Sequence, residues 1–250
     1  MPPIGNHVDT SSLLQYETQQ LDLQIGNEKF KIECVRDLNK TIDDLFAVLE
    51  KQGNPSLLEE LCPYFGVIWP SARGLAQHIS TLYPIKFEDL KILEVGCGLA
   101  LPSLYCARKG SRVVATDFHP EVPRFLERNI ALNGIKTLEF RRLNWAEETP
   151  STESTSANGA LGAGKYDWVI GSDVLYESQH PKPVARALAS QLRPDGKIML
   201  ADPARPYLQA FSDEMQVLGF REETKVIRVP AEAGAPVSHR DIFVLSFTRA

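Results

Sequence analysis

Two glycines and a later aspartate have the types and spacing needed to hold a nucleotide-like ligand. Gly96 and Gly98 follow an apolar run and precede a segment that opens into a helix at Pro102. Glycines let the backbone turn sharply and approach a ligand, and the free N–H groups of a helix start can bind a carboxylate. Asp117 lies 21 residues after Gly96 and ends the next apolar run, where its carboxylate can accept both ribose hydroxyls. This pattern predicts an adenosine-containing ligand.

Two positions distinguish a dinucleotide from S-adenosylmethionine. The dinucleotide fingerprint GxGxxG asks for Gly or Ala at its sixth place, where this chain has Leu101. Glu94 would repel a pyrophosphate but could receive the ammonium group of a methionine moiety, directly or through water. A glycine pair alone also occurs in structural turns, but here strand, acid, helix and second acid are in register. The residues predicted to bind S-adenosylmethionine at this loop are Glu94, Gly96, Cys97, Gly98 and Asp117.

Aromatic residues adjoin the expected cofactor site. Trp145 follows Asn144 at the end of the third predicted core strand, so it could stack on the adenine or simply close the core. Trp69, directly before a predicted helix, could line the same pocket or serve as a packing anchor. We include Trp69, Asn144, Trp145 and Phe118 among the predicted cofactor-binding residues. His119 is interpreted as a helix cap without a catalytic role.

The segment GSDVLYE carries Ser172, Asp173 and Tyr176 at the predicted carboxyl end of the fourth core strand. Open α/β sheets place their reacting groups at this end of the strands. Asp173 and Tyr176 can accept hydrogen bonds from an incoming amine and direct its lone pair at a sulfonium methyl group. The alternative is that Asp173 only caps a helix. We predict that Asp173 and Tyr176 are catalytic, and that Ser172 and Asp173 also border the cofactor.

The elements that position these residues alternate short apolar runs with amphipathic helices, which is typical of parallel β/α units. Strands are predicted at residues 91–96, 112–117, 138–144, 167–173 and 197–202. Helices are predicted between them, near residues 102–109, 120–132, 183–192 and 206–218. Two further strands, TKVIRV and RDIFVLSFT, have no helix between them and must be antiparallel. The predicted fold is α/β, with a Rossmann-like seven-stranded sheet in the order 3-2-1-4-5-7-6, the last strand antiparallel and helices on both faces.

An N-terminal elaboration precedes this core. Residues 21–35 alternate apolar and polar side chains around a Gly-Asn pair, which predicts a β-hairpin. Asn39 or Thr41 is expected to cap a helix that ends by Gly53, and a second helix is expected to begin near Pro70. The elaboration and the core together predict a single domain.

That domain is predicted to extend over residues 21–250, with the elaboration at 21–85 and the catalytic core at 86–250. Residues 1–20 have no periodic apolar face and are predicted to be flexible. Residues 150–164 are rich in Ser, Gly and Ala, so they are predicted to form a flexible surface insertion that limited proteolysis would cut first.

The composition narrows the range of partners. The chain of 250 residues has a formal net charge of −5 and a pI near 5.6, which argues against a nucleic acid partner. It has no apolar run near 18 residues and no signal-peptide pattern, so we expect a soluble cytoplasmic protein without a membrane partner. The four cysteines lack metal-ligand spacing, which predicts free thiols and no structural metal. A monomer is favoured.

Together these motifs resemble the seven-β-strand protein lysine methyltransferases, the group that modifies calmodulin, valosin-containing protein and electron-transfer flavoprotein β. The resemblance extends over about residues 20–250. It is most specific at the Trp-Pro pair of Trp69 and at the Asp-x-x-Tyr motif from Asp173 to Tyr176, and generic at the glycine loop. It implies that Asp173 and Tyr176 border a substrate channel, that Trp69 and Trp145 line the cofactor pocket, and that a protein lysine is the methyl acceptor.

The acceptor side leaves alternatives open. A lysine with a pKa near 10.4 must lose its proton before attack, and Asp173 would favour the charged amine, so Asp173 fits an orienting role better than a general base. The enzyme alternative is a methyltransferase for a small molecule or for a protein arginine or histidine. The other alternative is a non-catalytic cofactor-binding module, which the joint presence of Glu94, Asp117 and Asp173 disfavours. Arg205, in the turn after the fifth core strand, is expected near the site without an assigned role.

Overall fold

A computed structural model describes residues 15–144, 166–231 and 237–250 of the chain. Within these ranges the strands are β1 (Thr18–Ile25), β2 (Glu28–Val35), β3 (Lys91–Val95), β4 (Arg112–Asp117), β5 (Leu138–Arg142), β6 (Tyr166–Ser172), β7 (Leu192–Asp202), β8 (Phe220–Pro230) and β9 (His239–Arg249). The α-helices are α1 (Leu38–Lys51), α2 (Leu58–Leu61), α3 (Pro70–Ser80), α4 (Leu101–Arg108), α5 (Val122–Asn133), α6 (Pro181–Gln191) and α7 (Leu208–Val217). No helix within the described ranges has the length and apolar character needed to cross a membrane.

Strands β3 to β9 form one seven-stranded sheet in the order β5-β4-β3-β6-β7-β9-β8. The first five of these are mutually parallel, and β9 is antiparallel to both of its neighbours, β7 and β8. Numbered from β3, this is the order 3-2-1-4-5-7-6, so the predicted fold class and topology are confirmed. The strand order reverses between β3 and β6, and open sheets bind their ligands at such a switch point.

Alternate side chains of the central strands pack against helices on opposite faces of the sheet. Ile92 belongs to the apolar cluster formed with α3, α4 and α5, whereas Leu93 belongs to the cluster formed with α6 and α7. Both side chains are fully buried. Because successive strand residues point to opposite faces, one continuous apolar run supplies both clusters. This packing fixes the positions of the carboxyl ends of the strands, where the predicted site residues lie.

The N-terminal hairpin, β1 paired with β2, is attached to the core through two asparagines of helix α5. Asn133 bonds both backbone groups of Lys31, with its Oδ1 accepting the N–H at 3.0 Å and its Nδ2 donating to the carbonyl at 2.7 Å. Asn129 does the same at Glu33, at 2.7 and 3.2 Å. Each amide thus takes the place of a neighbouring strand for β2. The predicted hairpin is confirmed, and its attachment to α5 is an addition that the sequence did not reveal.

The first of the described residues differ from the prediction. Strand β1 begins at Thr18, and the Tyr16 ring packs edge-on against Phe65 and Phe125, with ring centroids 6.0 and 5.7 Å apart. Residues 16–20 therefore belong to the packed structure, and the prediction of flexibility is wrong for them. A single aromatic anchor holds this segment, so a search for periodic apolar residues could not detect it.

Helix α1 begins earlier than predicted. Its cap is Asp37, whose Oδ1 accepts the N–H of Lys40 at 3.0 Å, and neither Asn39 nor Thr41 has that role. An ionised carboxylate at this position satisfies one of the unpaired N–H groups of the first turn and interacts favourably with the helix dipole. The helix that begins at Pro70 is confirmed as predicted.

Three other predictions concern strand β7, Trp145 and the insertion at residues 150–164. Strand β7 begins at Leu192, ahead of the predicted residue 197, because Leu192 pairs with Tyr166 before a shift in register. Trp145 and the insertion at residues 150–164 lie outside the described residues. The flexibility of the insertion and the cofactor-lining role of Trp145 therefore stay predictions.

Candidate active site

A cavity of about 930 Å³ opens at the carboxyl ends of β3, β4 and β6, beside the switch point of the sheet. Its opposite wall is formed by residues between α1 and the start of α3. The cavity brings together most of the residues that the sequence predicted for the site: Trp69, Gly96, Cys97, Gly98, Asp117, Phe118, Asn144, Ser172, Asp173 and Tyr176. Among the described residues, no group of His, Cys, Asp or Glu side chains is arranged to hold a metal ion.

The glycine loop between β3 and α4 has a backbone conformation that favours glycine. Gly96 and Gly98 have φ angles of 64° and 50°, in the left-handed region that other residues disfavour. A Cβ atom on Gly98 would lie 3.2 Å from the carbonyl oxygen of Phe65, so glycine also allows this close approach. Between the glycines, the N–H of Cys97 donates to the carbonyl of Thr116 at 2.9 Å and ties the loop to β4. The loop backbone therefore forms part of the cavity wall.

Asp117 ends β4 and binds the glycine loop with its side chain. Its Oδ2 accepts the N–H of Gly98 at 2.9 Å, and its Oδ1 accepts the N–H of His119 at 3.0 Å. Burial raises the pKa of this carboxyl, and the backbone donors oppose that shift. Each carboxylate oxygen keeps further capacity to accept hydrogen bonds. Asp117 can therefore hold ligand hydroxyls while it fixes the loop.

Glu94 lies behind the loop and is not part of the cavity wall. Its side chain is fully buried, and its Oε2 accepts the N–H of Ser103 at 3.1 Å together with a short hydrogen bond from the Ser103 hydroxyl. Burial raises the pKa of Glu94 to about 8, which favours the neutral acid. The prediction that Glu94 receives an ammonium group directly does not fit this placement. A water-mediated contact is still compatible with it, because Oε1 has no hydrogen-bond partner among the described residues.

His119 joins the end of β4 to the opposite wall of the cavity. Its Nε2 lies 3.1 Å from the carbonyl of Leu61, and its Nδ1 lies 3.2 Å from the N–H of Glu121. These partners fit a neutral ring that donates from Nε2 and accepts at Nδ1. Burial lowers the pKa of His119 to about 4. The ring also packs on Phe65, with centroids 4.3 Å apart. The interpretation as a helix cap holds only in part, because Glu121 is the cap residue of α5 and His119 accepts that residue's N–H.

We expect His119 to make the folded protein less stable in mild acid. Below pH 6.5 the unfolded chain gains a proton at this residue, while the folded protein stays neutral there until about pH 4. Unfolding therefore becomes easier as the pH falls, and between pH 7 and pH 5 this residue contributes a loss of about 2 kcal/mol. His119→Gln keeps a donor for Leu61 and should reduce the loss by that amount in urea unfolding at the two pH values. The exposed His239→Gln is the matched control, and an equal loss in all three proteins would contradict the assignment.

Three further residues that the sequence predicted for the cofactor site line the cavity. Trp69 donates its indole N–H to the carbonyl of Tyr64 at 2.8 Å, which fixes the ring at the start of α3. The Arg142 guanidinium lies 4.7 Å from the centre of the Phe118 ring and donates to the Phe118 carbonyl at 3.1 Å. Asn144 lines the cavity at the end of the described segment. The cavity wall is thus partly aromatic, which suits the stacking of a planar ring.

Asp173 follows β6 in a strained turn. Its φ angle is 60°, and its N–H donates to the carbonyl of Ala201 at 3.0 Å. Such a left-handed backbone costs a residue other than glycine on the order of 1–3 kcal/mol, and this kind of strain concentrates at functional sites. The side chain is 10% exposed and forms a short ion pair through Oδ1 with Arg205. Its Oδ2 is buried and has no partner among the described residues. Asp173 is therefore more than a helix cap.

Tyr176 and His180 form the outer wall of the same end of the cavity. Their rings meet edge to face with centroids 4.4 Å apart, and half of Tyr176 is exposed. Burial, followed by the charges of Glu177 and Asp117, raises the pKa of Tyr176 to about 12. The hydroxyl therefore stays protonated at neutral pH and can donate or accept. Nδ1 of His180 lies 3.1 Å from the carbonyl of Val174, which orients the imidazole.

Sequence reasoning missed three parts of this site. It gave no role to Arg205, although an Asp-Pro-Ala-Arg turn directly after a core strand was a usable indication. It did not select His180, which packs against Tyr176 and lines the cavity with it. It also did not assign residues 55–64 to the cavity, because that segment carries no motif and reaches the site only through tertiary packing.

Comparison with known proteins agrees with this geometry. A family model described as a methyltransferase domain matches residues 70–239, which is more than half of the chain. The matched region contains the glycine loop, Asp117 and the Asp173–Tyr176 segment. The fold and the site define a class I S-adenosylmethionine-dependent methyltransferase. The chain belongs to the methyltransferase-domain family, and S-adenosylmethionine is its expected cofactor.

Several curated proteins are similar to parts of this chain. A histone-arginine methyltransferase METTL23 of Xenopus laevis is 33% identical over 46% of this chain and 47% of its own length. A ubiquinone biosynthesis O-methyltransferase of Xanthomonas axonopodis is 28% identical over 53% of this chain and 55% of its own length. A histidine protein methyltransferase 1 homolog of Dictyostelium discoideum is 31% identical over 47% of this chain and 36% of its own length. The chain thus spans about half of these relatives, or less.

A solved structure supports the fold. The ribosomal protein L11 methylase of Lactobacillus delbrueckii superposes with a TM-score of 0.50 and 17% sequence identity, covering 72% of this chain and 78% of that one. Similarity at this level concerns the arrangement of strands and helices. The acceptor of the methyl group must be inferred from the residues of the cavity.

Proposed function

We propose that this protein transfers a methyl group from S-adenosylmethionine to the side-chain nitrogen of a protein lysine. The observation that carries the proposal is that Asp117 and the segment from Asp173 to Tyr176 line one cavity from two neighbouring parts of the sheet edge. In this proposal Asp117 holds the ribose, and Trp69 and Phe118 line the adenosine. The acceptor nitrogen then enters beside Asp173 and Tyr176.

The cavity is acidic where an acceptor would enter. The carboxylates that line it within the described residues are Glu59, Glu60, Asp117, Asp173 and Glu177. Glu59 and Glu60 are exposed, and the cationic Arg205 is already paired with Asp173. A cleft with this excess of negative charge attracts basic groups and repels phosphates. The charge supports a basic protein segment as the substrate, in preference to a nucleic acid.

In the proposed reaction, Asp173 and Tyr176 act on the acceptor nitrogen. When bound, S-adenosylmethionine would supply a sulfonium methyl group: the lone pair of the acceptor nitrogen would form the new N–C bond at the methyl carbon as the C–S bond breaks and its electrons pass to sulfur. Asp173 and Tyr176 orient that nitrogen by hydrogen bonds, and such orientation supplies much of the rate of a transfer reaction. The lysine ammonium first releases one proton to water, because the carboxylate of Asp173 stabilises the charged amine and is not suited to remove the proton.

The arrangement of Asp173 supports lysine over arginine. A guanidinium group binds a carboxylate best through two parallel hydrogen bonds, one to each oxygen. At Asp173 the first oxygen is occupied by Arg205, and the buried Oδ2 is the one oxygen of this carboxylate without a partner among the described residues. The nitrogen of an amine needs only one carboxylate oxygen as a hydrogen-bond acceptor. The second candidate is a protein arginine or histidine, because relatives named for those activities match about half of the chain.

The test combines labelling with analysis of the methylated residue. Purified protein is incubated with methyl-tritiated S-adenosylmethionine and a cell lysate, and the macromolecular and small-molecule fractions are counted separately. Acid hydrolysis of the labelled protein then separates methyl-lysine, methyl-arginine and methyl-histidine. Asp117→Ala, assayed at a cofactor concentration well below saturation, serves as the control with reduced activity for background labelling.

We expect the label in the protein fraction and, after hydrolysis, in methyl-lysine. Label confined to the small-molecule fraction would overturn the protein substrate. Label in methyl-arginine or methyl-histidine would keep the protein substrate and overturn lysine. Labelling that persists at the same level with Asp117→Ala would mean that a contaminating enzyme is responsible.

A further inference from the structure

Arg205 connects the ends of two neighbouring strands at the acceptor side of the cavity. Its backbone N–H donates to Oδ1 of Asp202 at 2.6 Å, and its Nη1 donates to Oδ2 of the same carboxylate at 3.1 Å. The same Nη1 atom forms the short ion pair with Oδ1 of Asp173. One nitrogen of Arg205 therefore bridges an acid at the end of β7 and an acid just after β6.

The surroundings of this bridge fix the position of the guanidinium. Asp202 is fully buried, and burial raises its pKa while Arg205 opposes that shift. The turn between the two residues contains Ala204 with a φ angle of 67°, which directs the chain back toward Asp202. The Arg205 side chain is 26% exposed, so water screens the ion pair with Asp173 less than it would screen a surface pair. Asp202 thus fixes the position of Arg205, and the guanidinium pairs with Asp173 from that position.

We propose that Arg205 is a positioning residue that determines which nitrogen the site accepts. It occupies one oxygen of Asp173 and leaves Oδ2, an arrangement that admits an amine and excludes the two-point binding of a guanidinium. This inference rests on the proposed transfer to a protein nitrogen at Asp173 and adds the residue that controls the choice among nitrogens.

The positive charge of Arg205 acts in the same direction. A cation paired with Asp173 weakens the attraction of that carboxylate for a second charged group at the acceptor position. A lysine ammonium can lose its proton and enter as a neutral amine, since its pKa is near 10.4. A guanidinium, with a pKa above 12, enters only as a cation. Arg205 therefore favours the acceptor that can arrive uncharged, while its pairing with Asp173 keeps that carboxylate in one orientation.

Two variants test this role without leaving the fully buried Asp202 as an unpaired acid. The double variant Asp202→Asn with Arg205→Met removes the bridge and the buried charge that it neutralises, since an unpartnered buried carboxylate would endanger the fold. Arg205→Lys keeps a single cationic nitrogen, which is the kind of atom that makes both contacts in the native protein. Thermal unfolding and cofactor titration are measured for both proteins together with methyl transfer.

The readout is the ratio of methyl-arginine to methyl-lysine in labelled lysate protein, which a loss of stability alone would not change. In the double variant we expect this ratio to rise about tenfold, the value of one charge-assisted hydrogen bond, with cofactor affinity within about threefold of the native protein. Arg205→Lys should keep the ratio near the native value. If the double variant does not fold, Arg205→Gln, which keeps a donor for Asp202 but no charge, should raise the ratio in the same direction.

The outcomes separate this proposal from the proposed function. A native protein that labels lysine and a folded variant with an unchanged ratio would overturn the role of Arg205 and leave lysine methylation standing. A native protein that labels arginine in preference to lysine would overturn the proposed function itself, whatever the variants do. A ratio that rises equally in Arg205→Lys would show that general loosening of the site, and not the bridge, is responsible.

Discussion

Asp117→Ala is expected to weaken the binding of S-adenosylmethionine by about tenfold or more. The carboxylate is proposed to accept both ribose hydroxyls, and a hydrogen bond to a charged group contributes roughly 1.5 to 3 kcal/mol. One decade of affinity corresponds to about 1.4 kcal/mol. The same change removes the acceptor for the Gly98 N–H, so the glycine loop also loses the group that fixes it. Isothermal titration with S-adenosylmethionine measures the effect directly.

The matched control for this variant is Asp195→Ala. Asp195 is exposed near the start of β7, toward the opposite end of the sheet from the cavity. It should bind the cofactor as the native protein does. Native affinity in a correctly folded Asp117→Ala protein would remove Asp117 from the site and with it the assignment of the adenosine end of the cavity.

Asp173→Asn is expected to lower turnover on the order of a hundredfold while cofactor affinity stays within about threefold. The amide keeps the shape of the side chain and one acceptor atom but loses the charge that pairs with Arg205. The acceptor nitrogen should then be held less accurately, and a misplacement of about 1 Å is sufficient for this loss of rate. Methyl transfer to lysate protein and cofactor titration are measured on the same preparation.

Tyr176→Phe should show a smaller effect of the same kind, because the ring and its contact with His180 remain and only the hydroxyl is removed. Asp195→Asn is the conservative control at a distant surface position. Loss of turnover and of cofactor binding together in Asp173→Asn would place Asp173 in the cofactor pocket, and its assignment to the acceptor side would have to be withdrawn.

The sheet could be predicted because each strand is recognised from the residues of its own short segment. Each strand is a short apolar run, and the lack of a helix between the last two strands requires an antiparallel pair. The carboxyl ends of parallel strands meet at one edge, so Asp117 and Asp173 could be placed together without knowledge of any contact. Details of attachment, such as Asn133 bonding Lys31 across 102 residues, depend on tertiary packing and leave no local pattern.

Two features of the site, the burial of Glu94 and the ion pair of Arg205, also depend on tertiary packing and could not be predicted from the sequence. The position of Glu94 before the glycine loop suggested direct contact with a ligand, but burial against Ser103 depends on how α4 packs on β3. Arg205 lies 32 residues from Asp173, and the ion pair exists because β6 and β7 are neighbours in the sheet. Sequence spacing located the residue types needed for the chemistry. It could not show which of their atoms were already occupied by other residues.

Titration of the native protein with S-adenosylmethionine, its demethylated product and NADH tests the central claim most directly. The cavity that contains Gly98, Asp117 and Asp173 should bind the first two ligands, since they share the adenosine and the amino acid portions. NADH should not bind, because a pyrophosphate has no favourable contact near Leu101 and the acidic wall of the cavity. Binding of both adenosylated ligands and not of NADH is the predicted result. Binding of NADH without either of the others would contradict the account.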